Sequence, residues 1–464
     1  MKGVKWIKRN WTKNNRKAPA IFNFISPLIF TLVFPILLHL SVNAAETFFI
    51  WTVLFLVLSL ILVFMNYKYS LIVFILCALY LINLIFTKLN TFMFDGNYEI
   101  EGSVLKQTDK YFILSNKNEN ILVFKNNLRE VNEGCHIRIQ GFVTHHLENI
   151  KLDYTFIKSN NIKYLVHRPH ILEIKKYSYN IFNNIENYGS QYKYFKLYWK
   201  TVVFGIYDTD TTLIETLKKL NVIHLIAISG IHFDLLFLFL FFIFKPITKK
   251  SRMFGGLIFL FLFSYLTLLK SFMSGLRAIT MQATRNINKQ HNKTFQPLDG
   301  WLIAAFVIFL LNNNNVFSLS FILTFTCSLF TILIPNILSN IPIKQVYKNI
   351  LVGVIIYIIL IPFMLKINKW FNFLGIFIAL FLLPLFELIF ICSILLFWNT
   401  EVLNLFYRVI NYILEFLSKN TPAIKNNLEV SWSLIFLSLS IWCFGITIIN
   451  QIKKPADAGM VNFR

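Results

Sequence analysis

The residues best suited to chemistry lie where the chain is otherwise apolar. Val222-Ile-His-Leu-Ile-Ala-Ile-Ser-Gly-Ile-His-Phe-Asp-Leu-Leu236 sets His224, Ser229, His232 and Asp234 inside an apolar run. Ionisable groups within a membrane are costly and usually face a cavity or one another. Two uses are open for the histidines: neutral rings hydrogen-bonded within a helix bundle, or groups lining a polar path. Ser229 and Gly230 predict a break in the helix, where backbone can approach a neighbour or a substrate. Only His232 and Asp234 lie close enough to share a metal, and no ligand set completes them, so no metal is expected. Downstream, Ser271-Phe-Met-Ser-Gly-Leu-Arg-Ala-Ile-Thr-Met281 carries Arg277, a permanent cation whose planar fork suits phosphate oxygens. Ser274 and Gly275 can open a helix there, and free N–H groups at a helix start favour anions. The competing use of Arg277 is to snorkel to lipid headgroups. Phe317-Ser-Leu-Ser-Phe-Ile-Leu323 adds two hydroxyls, with Ser320 the candidate lining residue, although serine in membrane helices usually packs or bonds backbone.

Such groups need membrane helices to hold them. Of 464 residues, 56% are hydrophobic and 14% charged, against roughly 25% charged in soluble domains. Apolar runs at 21–42, 46–65 and 70–87 are long enough to cross a bilayer, and a second block from 221 to 450 holds spans at 223–244, 256–270, 298–311, 316–338, 350–367, 371–398 and 431–450. Seven Lys or Arg in the first 17 residues make the N-terminus cytoplasmic, and three crossings put the next segment outside. Basic residues after Phe244 and around Arg285 mark two cytoplasmic loops only some 30 residues apart. That spacing predicts a short hairpin, 256–270 out and 273–284 back. Glu401, Asn404, Arg408, Asn411, Glu415 and Ser418 draw one polar stripe on an apolar helix, which predicts a helix in the interface plane.

The segment 89–167 has a different texture. Tyr98–Leu105, Lys110–Leu114, Asn120–Lys125 and Cys135–Val143 are β-branched and aromatic runs separated by turn residues. About five short strands fit a small barrel, an OB-fold among the candidates. Lys106, Lys110, Tyr111, Lys125 and Arg138 are its candidate DNA-binding groups, cations beside an aromatic on which bases could stack. The expected organisation is therefore a polytopic α-helical membrane protein with a small extracellular all-β, OB-like domain inserted after three N-terminal transmembrane helices. Its parts are a basic tail and three helices (1–88), the β-domain (89–167), a linker with interfacial helices (168–220), the main helical block (221–450) and a short tail (451–464). The net charge of +23 invites a nucleic-acid or anionic-lipid partner, but Lys, Phe, Ile, Asn and Tyr all have A/T-rich codons, so base composition is a competing source of it.

His224-Leu-Ile-Ala-Ile-Ser-Gly-Ile-His232 resembles the most distinctive motif of the ComEC family of competence proteins, the inner-membrane DNA channels of natural transformation. In that family leucine usually stands at the positions of Ile226 and Ile231. Ser274-Gly-Leu-Arg-Ala278 with Met281, Phe317-Ser-Leu-Ser-Phe321 and Asp153–Ile162 are similar to three further family segments, in the family's order. Two departures stand out: Asp234 replaces a small residue, and no His-x-His-x-Asp-His cluster occurs in the sequence, so the metallo-β-lactamase-like domain that many members carry at the C-terminus is not expected here.

The resemblance implies a channel importing single-stranded DNA across the cytoplasmic membrane, with His224, Ser229, Gly230, His232, Asp234, Ser274, Arg277 and Ser320 on the path. The chain has no nuclease motif and no Walker-type ATPase motif, so no enzyme activity and no cofactor is expected. The implied partners are single-stranded DNA, the lipid bilayer, a DNA receptor, an ATPase translocase, a separate nuclease, and further copies of the chain as a homo-oligomer. The rival function is a secondary transporter of a small anionic solute such as a nucleotide, since broken helices and intramembrane polar groups suit that equally.

Overall fold

A computed structural model describes residues 26–43, 48–65, 67–89, 95–108, 110–116, 119–125, 131, 133–145, 153–175, 184–185, 187–206, 212–244, 251–270, 272–290, 295–296, 298–339, 341–368, 370–425 and 428–452. The basic N-terminal residues, the loop 245–250 and the tail from 453 lie outside the described residues, and so do the charge-based sidedness expectations that rest on them. The chain divides into two units, one of Met1–Leu76, Gln191–Val307 and Leu323–Arg464, the other of Cys77–Ser190 with Ile308–Ile322.

Apolar helices come first: α1 (Pro27–Phe30), α2 (Val33–Asn43), α3 (Phe48–Met65) and α4 (Tyr67–Leu89) occupy the three apolar runs read from the sequence. Pro27 suits the start of α1, where its missing N–H would have no helical partner. Ser26 at that start is bonded by Asp299, 273 residues later: the carboxylate accepts from the Ser26 N–H at 2.7 Å and from its hydroxyl at 2.5 Å. A third bond, from Gln296 N–H at 2.6 Å, completes the partners of this fully buried acid.

The β segment closes into a five-stranded barrel. β1 (Gly96–Gln107), β2 (Tyr111–Asn116), β3 (Glu119–Phe124) and β4 (His136–Thr144) follow the four runs legible in the sequence. After the short helix α5 (Tyr154–Ser159), β5 (Ile162–Lys175) continues beyond residue 167. The order is β1-β2-β3-β5-β4, with β1 pairing back to β4 and β3 parallel to β5. Alternation explains the core: in β4, Ile137, Ile139, Gly141 and Val143 point inward while their neighbours are more exposed. They join Ile100, Val104, Phe112, Leu114, Ile121, Val123, Tyr164 and Val166 inside the barrel.

The helical unit continues through α6 (Lys193–Phe204), α7 (Thr212–Lys219), α8 (Ile223–Ile226), α9 (Gly230–Phe244), α10 (Ser251–Thr267), α11 (Met273–Gln290) and α12 (Asp299–Leu311). A 3-10 turn, Asn313–Phe317, leads to α13 (Leu319–Leu338), α14 (Gln345–Ile367), β6 (Trp370–Phe371), α15 (Gly375–Leu395), α16 (Thr400–Asn420), β7 (Ile424–Lys425) and α17 (Trp432–Ile452). Among the described residues, four stretches are long and apolar enough to cross a membrane: Ile223–Phe244, Leu319–Leu338, Gln345–Ile367 and Gly375–Leu395. Two helices, α10 and α11, stand where the short hairpin was expected, separated by a break after Thr267.

The polar stripe of α16 is used within the protein. Asn404 Oδ1 accepts from the N–H groups of Tyr194 and Phe195 at 3.1 Å each and so caps α6. Asn411 Oδ1 accepts from the Tyr198 hydroxyl at 3.1 Å, and Tyr198 stacks on Tyr407 at 5.3 Å. At the far end, β7 pairs with β6 and Asn372 donates to Thr421 Oγ1 at 3.1 Å. The end of α16 therefore returns to the start of α15. With 21 residues each, both helices run about 31 Å, so α16 retraces the length of α15.

Candidate functional site

The break expected at Ser229 and Gly230 is present. Helix α8 ends at Ile226, Ala227 is extended (φ −68°, ψ 132°), and α9 begins at Gly230. Ser229 is the residue before α9, and its N–H donates to His232 Nδ1 at 3.0 Å. The Ser229 hydroxyl lies 3.0 Å from the same nitrogen. This is one half of a capping box, the third helical residue reaching back to the N–H before the helix, with histidine in the place usually held by Glu or Gln and the Ser229 hydroxyl turned to the same ring nitrogen. An Nδ1 that accepts from a backbone N–H carries no proton, which leaves Nε2 as the donor of the ring. The ring of His232 is buried and stands edge-on to Phe390, centroids 4.5 Å apart. His232 thus holds a helix start together, a use its residue type alone did not reveal.

Helix α11 crosses α9 at this point. A Cβ at Gly230 would sit 2.7 Å from Arg277 Nη2, so glycine gives the guanidinium its room. Gly275 likewise has no space for a side chain against the Phe233 ring and Leu266. Arg277 Nη1 donates to the backbone carbonyl of Thr324 on α13, which also accepts from Ser328 Oγ at 2.8 Å. Two buried polar atoms remain without a hydrogen-bond partner here, Arg277 Nε and Ser274 Oγ, and Ser274 is 3% exposed. Both belong to the first two turns of α11. A guanidinium, an unbonded hydroxyl and the N-terminal end of a helix are all donors, and their shared deficit is an acceptor of negative charge.

The structure thus gathers Ser229, Gly230, His232, Ser274 and Arg277. Asp234 is exposed on α9, within electrostatic range of Arg285 and Arg277 of α11. His224 is exposed on α8. Ser320 lies in the first turn of α13, in the unit that contains the barrel. Thr324 was missed by sequence reasoning because it contributes a backbone carbonyl, for which side-chain type carries no signal.

On the barrel, the five candidates separate into two groups. Arg138 is shared between Glu99 at 3.4 Å and Glu173 at 3.8 Å. Its charge is spent across β1, β4 and β5. Lys110 and Lys125 are neighbours instead, the Lys125 N–H donating to the Lys110 carbonyl at 2.9 Å. Tyr111 and Phe124 are directly opposite on β2 and β3. Tyr111 meets the Phe156 ring edge-on at 5.5 Å, and Lys106 Nζ lies over Phe156 at 5.3 Å. Burial pushes the Tyr111 phenol up, partly offset by its hydrogen bond with Thr108. Lys106, Lys110, Lys125 and these half-buried rings make one basic, aromatic edge.

Apolar helices long enough to cross a membrane, a helix broken inside one of these stretches and a closed five-stranded β-barrel are the features of a membrane protein. A model of the competence protein family matches residues 207–455. That is more than half of the chain, and the chain belongs to this family, whose ComEC-type members share its motifs. Neither the curated proteins nor the solved structures contain a match.

Proposed function

We propose that this protein carries single-stranded DNA across the cytoplasmic membrane during competence, its N-terminus on the cytoplasmic side. Membership of the competence family supplies the biological setting. The observation that carries the chemistry is the donor-rich crossing of α9 and α11, where Arg277 Nε and Ser274 Oγ stand buried without acceptors. A passing phosphodiester offers the acceptors these groups lack. Arg277 spends one nitrogen on Thr324, so it is anchored while part of its fork is left for phosphate. Contacts of this number admit a strand and still release it.

The barrel, which we read as OB-like from its strand order, holds the strand by Lys106, Lys110 and Lys125 with stacking near Tyr111. Arg138 stays with its carboxylates. The chain itself cuts nothing in this scheme; a receptor, an ATPase and a separate nuclease act beside it, and further copies can join it.

The test compares a deletion strain complemented with wild type or Arg277→Ala, giving marker DNA from the medium and by electroporation. Uptake from the medium should fail in the deletion strain while electroporated DNA still transforms. Equal uptake with and without the gene would overturn the proposal and move a small anionic solute to the front.

A further inference from the structure

The apolar run from Phe373 to Phe397 contains one charged residue, Glu387. It lies in α15 (Gly375–Leu395), about 18 Å from the first residue and about 12 Å from the last at 1.5 Å per residue. In a hydrocarbon layer about 30 Å thick, that is near the middle. Glu387 is half-buried, and no described charged group acts on it. Among the described residues, α6, α8, α9 and α14 pack against α15 and Tyr407 of α16 reaches it. Helix α6 carries Tyr198 and Lys200, and α8 carries His224. His232 of α9 is turned to Phe390 and Ser229, Tyr357 of α14 donates to the Asn372 carbonyl, and Tyr407 of α16 meets Ser393. None of the three bonds to Glu387.

A carboxylate in hydrocarbon without a counter-ion is costly, and intramembrane acids that persist there commonly serve ion pathways. The helix also provides for the acid form. Pro384, inside α15, has no N–H, so the carbonyl of Leu380 lacks its helical donor. Leu380 and Glu387 are two turns apart on one face, and helix side chains lean toward the N-terminus. An acceptor for an acid O–H therefore stands on the face along which Glu387 extends.

We propose that Glu387 is a proton-binding site inside the membrane, its carboxyl taking up a proton as ligand. This rests on α15 crossing the bilayer and does not depend on which substrate the protein carries.

Lipid-soluble carbodiimides test it directly. A carboxylic acid adds its O–H across one C=N bond: oxygen joins the central carbon and the proton moves to nitrogen. Acyl transfer to nitrogen then gives a stable N-acylurea, with the whole reagent retained and no leaving group. The full chain in its native membrane, without DNA, is treated near neutral pH with dicyclohexylcarbodiimide or with a water-soluble carbodiimide, and peptides are weighed. Glu387 should gain one intact lipid-soluble reagent, at least about tenfold more often than Glu401 or Glu415, a factor equivalent to about 1.4 kcal/mol. Glu387→Gln should abolish the adduct. No adduct on wild-type Glu387, or equal labelling by the water-soluble reagent, would overturn the proposal. Because no DNA is present, labelling of Glu387 together with equal marker uptake with and without the gene would keep the proton site and remove the import reading.

Discussion

The barrel and the crossing of α9 with α11 treat charge in opposite ways. On the barrel, acids and bases are matched across strands: Glu99 and Glu173 with Arg138, Glu119 with Lys163, Glu101 with His136, Asp95 with His145. At the crossing, a guanidinium and a hydroxyl are buried with donors to spare. Matched charge at a surface contributes little and asks for nothing further. Unmatched donors in a dry site are costly unless something brings acceptors. The contrast teaches that, in this chain, the number of cations in a region is a poor guide to anion binding, and what each cation already touches is a better one.

The contrast can be broken from the barrel side first. Phe112→Ala should cost about 3–5 kcal/mol, because Phe112 is fully enclosed in the barrel core. Hydrogen exchange should show lost protection in β1–β5 with little change in α9 and α11. Arg277→Ala comes next. Loss of a charged hydrogen bond, about 1.5–3 kcal/mol, predicts a fall in marker uptake of about 10- to 150-fold. Arg277→Lys should recover little of it, since a lysine cannot reproduce the fork. Thermal unfolding of purified Arg277→Ala near wild type would tie the loss to transport; a collapsed melting curve would mean that Arg277 only braces the helices.

Smaller effects sharpen the comparison. His232→Leu should lower stability in detergent by about 1 kcal/mol through loss of the cap, and His232→Gln should restore most of it, glutamine being an ordinary partner in this box. A deficit in uptake that glutamine leaves uncorrected while stability returns would show the imidazole itself in use. On the barrel, Arg138→Gln should change stability by no more than about 1 kcal/mol and leave oligonucleotide binding unchanged. Lys110→Gln and Lys125→Gln should each reduce the salt slope of single-strand binding by about 0.7. Equal slopes for all three variants would erase the distinction between Arg138, held by two carboxylates, and the two lysines.

Much of the architecture is legible in local sequence because local rules make it. Long apolar runs become helices, four β-branched and aromatic runs become β1 to β4, and Ser229-Gly230 breaks a helix by supplying a cap and a residue without a side chain. The fifth strand was harder, since Ile162–Lys175 carries Arg168, Pro169 and Glu173 amid its apolar residues, and its part from Arg168 onward reads as a linker. What local sequence could not show is pairing at a distance. Nothing near Asn404 says that it caps α6, and nothing near Thr324 says that its carbonyl anchors Arg277. The stripe on α16 was visible, and in the structure Asn404 and Asn411 turn to α6 while Glu401, Arg408 and Glu415 stay exposed, a division that spacing alone could not show.

The bond between Ser26 and Asp299 also sets a clock. At about 5–20 residues per second of synthesis, the 273 residues that separate the two take about 14 to 55 s to make. For that interval Ser26, at the opening of the helix that begins at Pro27, lacks Asp299 as the acceptor for its N–H and hydroxyl. This early helix start is therefore fastened late, and a nascent chain arrested before residue 299 leaves it without that bond.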